Sequence, residues 1–177
     1  MTHFKYWAVC ALIWAGCAPT QTEGVGPTQL DEALADQIVY GVRRNMSKDG
    51  IREAILEGDS MFVWEDSSHI QIEGLRLTVF NDLGVRQATI VALRGKLTES
   101  SSELTALGDV VLTIPEGNRE IRSQELKFAP ETDRIWTDSA VVMTEGDCTV
   151  EGDRLQADMD FNDVRIWATR GRECTSR

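Results

Sequence analysis

Most of the chemistry open to this chain lies in its four cysteines. Cys17 closes the run Ala15-Gly16-Cys17, preceded by a Lys5-bearing start and an apolar stretch from Tyr6 to Trp14. Small residues after a short apolar run are what a signal peptidase needs in its pocket, and a cysteine at the junction is a site for lipidation. Residues 1–16 therefore read as a lipoprotein signal peptide and Cys17 as the lipid anchor. One position departs from the usual pattern, Trp14 standing where such signals generally carry Leu. Cys10 is no rival, since β-branched Val9 precedes it. An uncleaved membrane helix is the first alternative, but the apolar stretch is shorter than the roughly 20 residues that a bilayer core demands. Ordinary cleaved secretion is the second.

With Cys10 removed and Cys17 acylated, Cys148 and Cys174 are left as a pair. In an oxidising compartment an even remainder points to a disulfide, with two free thiols as the alternative. A metal centre is not expected, because these two cysteines with His3 and His69 fall short of four clustered ligands. Asp158-x-Asp160-x-Asn162 looks like the start of a calcium loop. No Gly follows at the turn position, and Thr169 stands where the bidentate Glu belongs, so a solvated turn explains it better. His69 has no nucleophile beside it, no nucleophile elbow, zinc helix or phosphate loop occurs, and the acids are too scattered to pick out a catalytic pair. No catalysis and no cofactor are expected.

What must position these residues is a sheet. After Cys17 the chain turns polar and rich in Gly and Pro, so residues 17–35 read as a flexible linker. From Asp36 onward apolar alternation is broken by turn signals: Asp49-Gly50, Glu65-Asp-Ser-Ser68, Asn81-Asp-Leu-Gly84, Ser100-Ser-Ser102, Pro115-Glu-Gly-Asn118, Pro130-Glu-Thr-Asp133 and Glu145-Gly-Asp147. The fold class is all-β, with at most a helical turn around Leu30 to Ala35. An internal repeat runs through it: Gly74-Leu-Arg-Leu-Thr-Val79, Gly108-Asp-Val-Val-Leu-Thr-Ile114 and Asp138-Ser-Ala-Val-Val-Met143. Repeats of that length stack into an elongated folded sheet with an apolar groove and open ends. A domain over 36–170 and a C-terminal tail over 171–177 complete the division.

The formal charge of −11 argues against a basic surface for nucleic acid or anionic headgroups, so no nucleic acid is expected as partner. A lipid would have to be held by its apolar part. Inward positions of the alternating sets are Ile38, Tyr40 and Val42; Ile70 and Ile72; Leu75, Leu77 and Val79; Val110, Leu112 and Ile114; and Val141 and Met143. The same alternation describes any sandwich core. Trp64, Trp136 and Trp167 fall at strand ends, as groove-rim or core aromatics.

Several segments occur in a family's order: Glu57-Gly-Asp-Ser60, Leu77-Thr-Val-Phe80 before Asn-Asp-Leu-Gly84, Gly108-Asp-Val-Val-Leu112, Ser123-Gln-Glu-Leu-Lys-Phe128 before Pro-Glu-Thr-Asp133, Ile135-Trp-Thr-Asp138 and Glu151-Gly-Asp-Arg-Leu-Gln-Ala-Asp158. From Asp36 to Trp167 the chain resembles the LptC family, the periplasmic C component of lipopolysaccharide export. The resemblance implies a jellyroll-like β-groove that receives lipopolysaccharide from an inner-membrane ABC transporter and hands it to an LptA-like bridge protein. The edge offered to that partner is expected around Val164 and Ile166. Family members are usually anchored by a transmembrane helix, which a lipoprotein signal replaces here. The implied location is the periplasm, lipid-anchored, with the inner membrane favoured by function and the outer left open because Ala18 is not the retaining Asp. An envelope lipoprotein that binds partners by strand edges without carrying lipid is the competing reading, and a secreted hydrolase ranks last.

Overall fold

The computed structural model describes residues 34–174 apart from Asp66. The expected signal peptide, Cys17 and nearly all of the linker lie outside the described residues. Leu34 is helical and the chain is extended from Gln37.

Twelve antiparallel strands follow: β1 Gln37–Lys48, β2 Ile51–Val63, β3 His69–Phe80, β4 Arg86–Thr98, β5 Glu103–Ile114, β6 Arg119–Ala129, β7 Arg134–Thr137, β8 Val141–Glu145, β9 Cys148–Gly152, β10 Arg154–Ala157, β11 Val164–Trp167 and β12 Arg170–Cys174. They form one sheet, a meander from β1 to β6 that then forks. One branch runs β6-β7-β10-β11 and the other β6-β8-β9-β12. The fork arises because β6 is long and its partners are short: 127–129 pair with β7 and 119–123 with β8. The Asp49-Gly50 turn has positive φ at both residues, 51° and 82°, as a two-residue hairpin matched to strand twist requires.

Each long strand bends near its middle, and the bend is visible in which side chains are buried. In β3, Ile70 and Ile72 face inward, then Leu75, Leu77 and Val79, so the inward parity switches across Glu73-Gly74. Gly74 has φ +64°, a left-handed conformation that turns the strand over without a Cβ penalty. β4 switches between Ala92 and Leu97, and β6 between Ile121 and Leu126. In β5 the bend takes two left-handed residues, Gly108 and Asp109, with a register shift against both neighbours. These bends align into a hinge line dividing the sheet into two panels. Panel A holds 42–48, 51–57, 75–80, 86–91, 110–114 and 119–123 with β8, β9 and β12; panel B holds the other halves with β7, β10 and β11.

The panels close on a single apolar core running from Met46 to Phe161. Leu56, Ile72, Leu75, Leu77, Ile90, Leu112 and Phe128 are at most 1% exposed. Each such side chain contributes about 1.5–3 kcal/mol of burial free energy. At the C-terminal end, β12 pairs with β9, so the expected tail begins as a strand that extends to Cys174.

Candidate functional site: the groove, its mouth and its ends

The interior between the panels is the feature that alternation predicts, and most of the expected lining residues meet there. Ile70, Ile72, Leu75, Leu77, Val79, Val110, Leu112, Ile114 and Val141 belong to the core cluster, and Met143 packs against it. Ile38, Tyr40 and Val42 are absent from it. Ile38 is paired with Phe62, whose neighbours Met61 and Val63 face the core, so Ile38 looks outward; Tyr40 is 68% exposed. The reason is Gly41, whose φ of +62° breaks an alternation that looks unbroken in the sequence. The interior is filled by its own side chains, and three recesses lie along the mouth rather than in the core.

The mouth forms where the turns of panel A meet those of panel B. Lys48 Nζ at the end of β1 donates to Pro130 O at 3.5 Å, and Arg119 Nη2 at the start of β6 donates to Phe161 O at 3.3 Å. A recess of 430 Å³ is bounded by Arg44, Met46, Lys48, Leu97, Ser102 and Pro130, and two smaller ones of 260 and 300 Å³ follow along the seam. Glu53 reaches this seam because the Met46–Ser47 register shift leaves it unpaired between Arg52 and Ala54, as at a β-bulge. Burial pushes the Glu53 carboxyl above its usual range; Lys48 draws it back, while Asp82, Asp133 and Asp49 push it further up. Asp160 is raised likewise, first by partial loss of solvent around its exposed carboxyl and then by Asp133, Asp158 and Asp82. The mouth is thus an acidic polar seam over an apolar interior.

Both ends of the sheet are open among the described residues. β1 pairs with β2 alone, β11 with β10 alone and β12 with β9 alone. Val164 and Ile166, the expected partner edge, lie in β11 with their side chains packed against the core, while Arg165 and Trp167 between and after them are exposed. Gly152 is required beside them, because a Cβ there would overlap Ile166. Cys148 and Cys174 occupy facing positions in β9 and β12, with sulfurs 2.09 Å apart in a disulfide. The tryptophans stand outside the core cluster: Trp64 stacks on Phe62 at 6.4 Å, Arg134 lies over Trp136 at 4.5 Å and Arg154 over Trp167 at 5.8 Å.

Asp158 holds a turn: its Oδ1 accepts from Asp163 N at 3.2 Å, and its carbonyl accepts from Phe161 N. Sequence reasoning missed the mouth residues Lys48, Glu53, Arg119, Asp133 and Phe161, which sit far apart in the chain. The hinge had a signal, since Gly74 and Gly108 head two of the repeated segments and Gly inside a strand marks a bend.

Among curated proteins none matches this chain. A solved structure with a similar fold is that of LptH from Pseudomonas aeruginosa, described as the LptA-homologous periplasmic component of the lipopolysaccharide transport device. The two share 10% identity with a TM-score of 0.50, over 64% of this chain and 80% of that one. The likeness is one of fold. The sequence over residues 8–170 matches the model of the family described as lipopolysaccharide-assembly, LptC-related. Because that match spans all the strands up to the last, the chain belongs to the LptC-related lipopolysaccharide-assembly family.

Proposed function

We propose that the protein carries lipopolysaccharide by its acyl chains in the interior between the two panels, as a periplasmic component of the export bridge. Family membership across nearly the whole chain carries the reading. Physics makes an apolar interior necessary, since every CH₂ exposed to water costs about 0.8 kcal/mol, and a hinged sheet can part along its mouth to provide one. In this reading an inner-membrane ABC transporter loads the groove, the β11 edge continues into an LptA-like bridge protein by backbone pairing, and acylated Cys17 tethers the chain to a membrane.

The test is photo-crosslinking in intact cells with a photoreactive residue at Met61 or Met143, which border the core without filling it. Ultraviolet light should yield a lipopolysaccharide adduct at both positions. A folded, correctly located protein that gives none would sink the carrier reading. One observation favours a second reading, an assembly protein that binds partners by its edges without lipid: the interior is already occupied by its own side chains. Partner capture without any lipid adduct would select it. Cys17→Ser tests the tether separately, with the protein expected in the soluble fraction after a salt wash.

A further inference from the structure

The connection between β10 and β11, 158–163, differs from every other turn along the mouth. Met159 and Phe161 are the two members of the described core cluster that lie outside a strand. They are 8% and 2% exposed, while Asp160 between them is exposed. The loop therefore pushes two large apolar side chains down between the panels and holds its acids up. We propose, building on the carrier reading above, that this loop is a lid: Met159 and Phe161 occupy the place that the acyl chains of a bound amphiphile take, and the loop lifts away to admit them.

Three observations support the placement. The backbone of Phe161 is left-handed, φ +57°, a conformation that a bulky residue keeps only while burial of its ring holds it there; lifting the loop releases it. The fastening is light and local. Met159 N donates to Asp133 Oδ1 at 3.1 Å and Arg119 Nη2 reaches Phe161 O, and the strand that follows the loop, β11, is a four-residue edge strand paired, among the described residues, with β10 alone. Recesses of 260 and 300 Å³ flank the loop, the first touching Met159 and Asp160 and the second Asp160 and Asn162, so it has room to move. Crowding of Asp160 by Asp82, Asp133 and Asp158 adds a repulsion that closure must overcome.

The experiment uses the full chain with its disulfide intact and nitroxides at Leu83→Cys and Asn162→Cys, both beside the same recess. Purified lipopolysaccharide should lengthen the inter-label distance, and Arg119→Gln should speed capture of the fluorescent fatty acid cis-parinaric acid by about tenfold or more, the effect of losing one hydrogen bond from a charged group. If lipopolysaccharide binds with an unchanged distance distribution and Arg119→Gln leaves capture unaltered, the lid is wrong while the carrier reading stands. If the unlabelled protein binds neither lipopolysaccharide nor cis-parinaric acid, the carrier reading fails and the lid with it. Phe161→Leu keeps an apolar plug of smaller size and provides a second folded variant, expected to fall between the two.

Discussion

Asp59 occupies the space that a Cβ on Gly74 would fill, so the aspartate of β2 and the glycine of β3 interlock at the hinge between the panels. Gly74→Ala should therefore cost more than a left-handed alanine alone, which is worth about 1–2 kcal/mol. Gly84 supplies the control, since its φ is +75° and nothing lies within 4 Å of its absent Cβ. Urea unfolding should show the larger loss for Gly74→Ala, and equal losses would mean that the Asp59 contact carries no weight.

Leu112 is wholly buried at the centre of panel A, and truncation there leaves a cavity in a filled interior. Leu112→Ala is expected to destabilise by about 2–5 kcal/mol, read as a lower denaturation midpoint at an unchanged slope. Leu112→Arg should prevent folding, since a guanidinium among acyl-free, tightly packed side chains has no partner. A charge there thus tests the fold; the part-buried Met61 and Met143 are the positions that test lipid.

Reduction should loosen the C-terminal branch. The Cys148–Cys174 bond closes a loop of sequence separation 26 and holds the edge strand β12 on β9. A cross-link of that span stabilises by about 2–4 kcal/mol, so a melt under reductant should come on the order of 10 °C lower. An identical melt, together with two alkylatable thiols in the native protein, would show that the bond does not form.

The acidic mouth makes stability depend on pH in a stated direction. Glu53 and Asp160 have carboxyls raised in the folded protein, so the folded state binds more protons than the unfolded one between the ordinary carboxylate range and the raised values. Their contribution to stability is present below the ordinary range and is lost as pH rises through the raised values. Glu53→Gln should therefore raise the melting temperature near neutrality by about 1–2 °C, with the gain shrinking toward pH 4. A gain that stays constant with pH would point to packing instead of charge.

The sequence by itself determined what is local or periodic. Alternation at Ile70, Ile72, Leu75, Leu77 and Val79 already contains the parity switch at Gly74, and Asp49-Gly50 specifies its hairpin through two left-handed residues. The family was legible because its segments keep their order along the whole sheet. Where one glycine interrupts a run, the pattern misled: Ile38-x-Tyr40-x-Val42 reads as one face, and Gly41 places Ile38 and Tyr40 outside. The mouth was invisible in the sequence, because Lys48 and Pro130, or Arg119 and Phe161, are neighbours only after the sheet has folded over, and no periodicity records contacts across that fold. The burial of Met159 and Phe161 was hidden for the same reason: in an acid-rich turn they look like exposed spacers, and the two panels closing around them decide that they face inward.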